Sequence, residues 1–227
     1  MIAAAATGVA AAALSVSPVR IRLTRSVAQT ITVTNVGAST AAVLARPAGF
    51  AIGPRGRPAV APKGRQAGRW LRLRPRRLVL APGERAVITL SSTAPRSARP
   101  GDHAALVLLT TQPRRTDGVA IRMQVGVVVL VRVAGRIVHR LEVGRLRLLH
   151  RVLEAAVENR GNAAELTRVR ISLSRGGRVL ARLRTAPRTW LPHSRGTVRL
   201  RCPVRVRGWL TAQVQAGRSR RTFRIRP

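Results

Sequence analysis

Apolar and polar residues alternate with a period of two along most of the chain. Val19-Arg20-Ile21-Arg22-Leu23, Trp70-Leu71-Arg72-Leu73-Arg74, Val169-Arg170-Ile171-Ser172-Leu173, Val204-Arg205-Val206-Arg207 and Phe223-Arg224-Ile225-Arg226 all follow it. Successive side chains of a strand point to opposite faces, so each run predicts a half-buried strand with an apolar face and an arginine-rich one. Turn signals separate the runs: Asn35-Val36-Gly37, Pro82-Gly83, Pro100-Gly101, Asp117-Gly118, Asn159-Arg160-Gly161 and Gly176-Gly177. The last suits a two-residue hairpin. No long segment has helical period, and the spacing predicts antiparallel β-sandwiches of roughly 100 residues each.

An internal echo implies two copies. Thr30 to Asn35-Val36-Gly37 is mirrored by Leu153 to Asn159-Arg160-Gly161, and Leu78-Val79-Leu80-Ala81-Pro82-Gly83 by Trp190-Leu191-Pro192, in the same order. The expected domains are residues 15–134 and 135–227. The Gly-, Pro- and Arg-rich stretch 53–68 interrupts the strands and reads as a surface loop.

Composition adds charge to this picture. The 227 residues hold 43 Lys plus Arg against 7 Asp plus Glu, a net charge of +36. Lys63 is the one lysine, which reflects a GC-rich genome, whereas scarce acidic residues point to polyanionic surroundings. Charge is spread: 20 basic and 3 acidic residues precede Gly135, and 23 and 4 follow from there. Residues 1–14 are Ala-rich and uncharged and resemble the apolar core of a signal peptide, so an exported, extracytoplasmic protein is expected. Val125 to Val131 is too short to span a bilayer and reads as a buried strand. Cys202 is the only cysteine, which excludes an internal disulfide and reads as a small structural residue.

From Trp70 onward the order of motifs resembles the peptidoglycan-binding domain of WxL-interacting proteins. The residues are Trp70 with Leu71 to Pro75, Leu78 to Pro82-Gly83-Glu84, and Pro100-Gly101-Asp102-His103, with Ser17-Pro18-Val19 before them and Gly118-Val119-Ala120-Ile121 after. That resemblance implies two tandem immunoglobulin-like antiparallel β-sandwich domains and, with the Arg-rich composition, an actinobacterial relative of a Gram-positive surface protein. Trp70, Pro75, Pro82, Gly83, Pro100, Gly101 and Asp102 are then scaffold residues. Trp70 is expected to begin a strand, and Asp102-His103 to form a turn.

Catalysis finds little material. The four histidines lack metal-ligand spacing, no nucleophile motif accompanies Asp102-His103, and no cofactor or metal is expected. Glu154 and Glu158 share a strand face flanked by arginines, which predicts cross-strand ion pairs rather than a glycosidase dyad. The arginines carry the expected function: Arg20, Arg22, Arg72 and Arg74 on strands, Arg76 and Arg77 after Pro75, and Arg55, Arg57 and Arg65 in the loop. Arginine pairs bidentately with carboxylate and phosphate. The leading expectation is therefore a non-catalytic surface module binding peptidoglycan, another anionic wall polymer or a wall-associated protein, with an anionic lipid surface as a further partner. The alternative is a chaperone-like assembly protein that works by β-strand addition, taking a partner's strand onto an exposed sheet edge. Nucleic-acid binding ranks third, because five scattered aromatics make no stacking platform.

Overall fold

The computed structural model describes residues 13–24, 27–53, 58–61, 67–116, 119–204 and 208–226. The fold is all-β, built mainly of antiparallel sheets, and forms two compact units. One comprises Met1–Phe50, Val60–Ala98 and Ala104–Arg132, and the other Ala51–Ala59, Arg99–His103 and Val133–Pro227.

In the first unit, one sheet orders β1 (Leu14–Ser17), β3 (Gln29–Asn35), β8 (Arg85–Ser92) and β6 (Leu71–Arg74). The other, most of whose residues lie in this unit, orders β2 (Arg20–Leu23), β12 (Gln124–Val133), β9 (Gly101–Thr111), β4 (Ala41–Ile52) and β5 (Pro58–Val60), and β7 (Arg77–Leu80) also pairs with β4. A small hairpin of β10 (Arg114–Thr116) and β11 (Val119–Ile121) lies between β9 and β12 in the chain. Period-two patterning supplies the core: Ile31, Val33, Ile88, Leu90, Leu71 and Leu73 from the first sheet, and Val43, Leu80, Val107, Leu109, Val127 and Val129 from the second, are all buried. The first alternating run is broken at Pro18, so that β1 pairs antiparallel with β3 while β2 pairs parallel with β12. This parallel pairing joins residues more than a hundred positions apart, and no local pattern announces it.

In the second unit, β13 (Leu141–Leu149), β14 (Val152–Asn159) and β19 (Arg195–Arg201) form one sheet. The other orders β17 (Arg178–Arg184), β16 (Val169–Arg175), β20 (Leu210–Ala216) and β21 (Ser219–Ile225). A short pair, β15 (Glu165–Thr167) with β18 (Arg188–Trp190), completes the unit. Their inward rows form one cluster that includes Leu153, Val157, Ile171, Leu173, Trp190, Val214 and Cys202. Gly176 and Gly177 both take positive φ, 53° and 80°, as the tight hairpin between β16 and β17 requires.

Three local readings need correction. Trp70 closes a single helical turn, α1 (Ala67–Trp70), instead of opening a strand. On a strand it would share the outward face of Arg72, whereas in the turn it is buried, 7% exposed. Asp102 is not in a turn: β9 begins at Gly101, and the buried Asp102 carboxylate accepts from the Ala164 N–H at 2.8 Å. Within Val125 to Val131 only Val127, Val129, Leu130 and Val131 are buried; Val125 and Val128 are half-exposed and Gly126 is exposed.

Candidate functional site

The arginines singled out in the sequence do not form one stripe. Arg20 and Arg22 project, exposed, from β2 at one edge of its sheet, while Arg77 lies on β7, on the far side of β9 and β4. Arg72 and Arg74 are exposed on β6, the edge of the other sheet, and Arg76 sits exposed between β6 and β7. Arg55, Arg57 and Arg65 lie outside the described residues. The scaffold residues occupy turns and packing sites. Pro75 follows β6, and Pro82-Gly83 forms a tight turn in which Gly83 has φ 77° and the Glu84 N–H donates to the Ala81 carbonyl at 3.0 Å. Gly101 has φ 129° with no room for a Cβ against the Asn162 backbone, and the Pro100 carbonyl accepts from Asn162 Nδ2 at 3.0 Å.

The feature that sequence reading missed lies on β12. The backbone N–H of Thr111 donates to the Met123 carbonyl at 3.0 Å, and the Met123 N–H donates to Thr111 Oγ1 at 3.0 Å, so both main-chain groups of Met123 face the β9 side. Alternation then directs the main-chain groups of Arg122, Gln124 and Gly126 to the opposite edge. Farther along, that edge is occupied, since the Val128 N–H donates to the Val19 carbonyl at 3.0 Å and β2 pairs with Val128 to Val131. Among the described residues nothing pairs with the edge from Ala120 to Val127.

Side chains along this open stretch continue the inward row of the core beyond the core itself. Val127 and Val129 are fully buried, Val125 and Met123 are half-exposed, and Ile121 is 52% exposed. The alternation of Ile121, Met123, Val125 and Val127 is visible in the sequence, yet the unbroken valines after Val127 conceal that its first part lacks a partner. On the outer face of the same sheet lies a groove of about 690 Å³ that Arg46, Arg77, Arg122 and Gln124 help to line above Leu44 and Val79.

On the sheet of β13, β14 and β19 the carboxylates are paired. Glu154 meets Arg199 at 2.6 Å and Glu158 meets Arg195 at 3.3 Å, each with its direct cross-strand partner, as their flanking arginines predict. Desolvation pushes the Glu158 carboxyl up, but the Arg160 hydrogen bond and the charge of Arg195 outweigh it and hold the group below its ordinary value. Arg188 lies 4.3 Å over the Trp190 ring and donates to the Thr197 carbonyl at 3.3 Å, and burial lowers its guanidinium. Among the described residues no group of three His, Cys, Asp or Glu is placed to hold a metal ion, and no helix is long and apolar enough to cross a membrane.

No known protein family matches the chain, and no curated protein does. Solved structures do. The YadV chaperone is similar at 12% identity and TM-score 0.56, covering 93% of this chain and 98% of its own. The class 5 fimbriae chaperone CfaA matches at 9% identity and TM-score 0.56, over 95% of this chain and 100% of its own. A chain of the CsuC–CsuE chaperone–tip adhesion subunit pre-assembly complex, from archaic chaperone-usher Csu pili of Acinetobacter baumannii, matches at 13% identity and TM-score 0.51, over 95% and 99%. These likenesses concern the fold. They overturn the resemblance to WxL-interacting proteins: the architecture that fits nearly end to end is a chaperone's. The motifs behind that resemblance are turn and packing devices, which unrelated sandwiches need equally. The expected wall-polymer, wall-associated and lipid-surface partners fall with it, and the arginines meant to carry them are dispersed over separate sheets.

Proposed function

We propose that the chain is an extracytoplasmic, non-catalytic assembly chaperone of two immunoglobulin-like domains, which holds a protein subunit by adding a β-strand to it. The observation that carries this reading is the open edge of β12, where free main-chain groups and an apolar row coincide. Arg122, Gln124 and Gly126 direct N–H and C=O groups to the edge, and Ile121, Met123 and Val125 offer alternate apolar side chains. Strand addition needs both, main-chain bonds for affinity and pockets for alternate side chains for selectivity. The likeness to chaperones of fimbrial assembly supports it, as does the signal-like character of residues 1–14. The partner that fits is a pilus-type subunit whose own sheet lacks a strand.

The test is co-purification of the full chain with a strand-deficient pilin subunit encoded in its own genome, in roughly 1 M salt, where attraction between exposed charges is screened. The complex is expected to survive the salt and to be lost in Met123→Asp, which places a charge in the apolar row. Arg72→Gln/Arg74→Gln is expected to bind like the parent. Retention by Met123→Asp, or loss in salt and in the arginine variant, overturns the reading.

A further inference from the structure

The two sheets of the second unit present opposite kinds of polar face. On the sheet of β13, β14 and β19 the carboxylates are saturated: Glu142 lies between Arg140 and Arg160 at 2.7 and 3.0 Å, and Glu158 and Glu154 meet Arg195 and Arg199. The sheet of β17, β16, β20 and β21 has no such partners. Its registers place Arg184, Arg170, Gln215 and Arg220 in one cross-strand row on the outward face, with Arg182 in the next and Arg224 beyond. Among the described residues no carboxylate pairs with any of these five arginines.

That face is costly to leave empty. Arg170 and Arg184 are direct cross-strand partners, and like charges in that position destabilise a sheet. The guanidiniums of Arg170, Arg182 and Arg184 border a shallow groove of about 370 Å³ with the amides of Gln213 and Gln215. Arg182 and Arg184 project two residues apart on one side of an exposed edge strand, about 6.8 Å along it, which is also the repeat of alternate side chains in any extended peptide. A segment lying along β17 can thus bring carboxylates at alternate positions to both arginines, each in a bidentate pair. Among the described residues Trp209 is the one strongly exposed aromatic, 53% exposed and already covered by Arg224 at 5.2 Å, so the face lacks the stacking surfaces single-stranded nucleic acid uses.

We infer that this sheet face is a second docking surface, separate from the β12 edge, for an extended polypeptide segment with acidic residues at alternate positions. The test uses the full chain and a labelled peptide of about eight residues alternating Glu and Thr, read by fluorescence anisotropy. Arg170→Gln/Arg182→Gln/Arg184→Gln is expected to weaken binding about tenfold, and Arg182→Gln alone, at the exposed edge, about threefold. Arg20→Gln/Arg72→Gln/Arg74→Gln removes the same charge from the first unit and is expected to change binding less than about twofold. Equal losses in the two triple variants would reduce the effect to net charge. Tighter binding of inorganic polyphosphate with the same arginine dependence would assign the face to phosphate, and either result overturns the proposal.

Discussion

Each unit contains its own copy of one pattern of hydrogen bonds about a buried asparagine. In the first, Asn35 is fully buried, its amide donating to the Ser39 carbonyl at 2.8 Å and the Leu80 carbonyl at 2.9 Å while its oxygen accepts from the Gly37 N–H at 3.0 Å. In the second, Asn159 is equally buried and repeats each bond, to the Ala163 and Trp190 carbonyls at 2.7 and 3.0 Å and from the Gly161 N–H at 2.9 Å. One turn is closed and one distant strand end is fastened to it in both. A second pair of turns shares its proline and its backbone: where the first unit has Pro82-Gly83, the second has Pro192-His193, with φ 77° at Gly83 and 54° at His193. The equivalent carbonyls, Ala81 and Leu191, accept from Glu84 and Ser194 at 3.0 and 3.2 Å. The turn geometry is common to both units while the residues in it differ.

The sharpest way to break this comparison is to remove the asparagines. Each Asn→Ala change deletes three bonds and strands buried carbonyls, so the loss is expected to reach about 3 kcal/mol. Asn159→Ala should exceed Asn35→Ala, since all three of its bonds are buried and only one of Asn35's is fully so. Urea unfolding followed by tryptophan fluorescence, with Trp70 reporting the first unit and Trp190 the second, measures both. A larger loss at Asn35 would mean that the two patterns carry different loads.

Exchanging the turn residues sharpens it further. Gly83→Ala forces a Cβ into the left-handed region and is expected to cost about 1 kcal/mol, although nothing lies within 4 Å of the added atom. His193→Gly relieves the same conformation and is expected to stabilise the second unit by roughly 0.5 kcal/mol, less than the strain itself because glycine also loosens the unfolded chain. Thermal melts of the two variants should therefore move in opposite directions.

The smallest effect concerns Glu158, held by Arg160 and Arg195 in the second unit. Its carboxyl is held below the ordinary value of 4.5, so its contribution is complete above that pH and is lost as pH falls through the depressed value. Stability of the parent is expected to fall more steeply below about pH 4.5 than that of Glu158→Gln, read from urea midpoints across the acid range. Parallel acid profiles would show that Arg160 and Arg195 do not hold the group.

Much of this organisation is legible in the chain itself, and the reasons are local. Strands declare themselves because Ile31, Val33, Ile88 and Leu90 alternate with polar neighbours, and the Asn-x-Gly echo survives because each buried asparagine has no substitute that makes the same three bonds. What escaped depends on position in space. A single helical turn at Ala67–Trp70 is too short to show a period. Pairing of Arg20 with Val128 joins distant segments and leaves no trace in either. The open edge at Ile121 to Val125 is hidden for the same reason: the alternation is written in the chain, but the missing neighbour is a fact about every other strand. The described arginines expected to carry binding belong to different sheets, because alternation along a strand fixes which face a side chain takes and not which edge its strand occupies.

Arg122 has one more consequence, for the protein in the company of its own copies. An unpaired strand with an apolar row is a template for self-association, and two identical edges can meet antiparallel about a twofold axis. In such a pairing centred on Arg122, the Arg122 side chains of the two copies oppose one another, with no acidic residue anywhere from Val119 to Val133 to compensate. Like charges facing across a new ladder oppose it. The edge is thereby open to a partner that brings neutral or acidic groups and closed to a twin, so a concentrated solution of the chain by itself should remain monomeric.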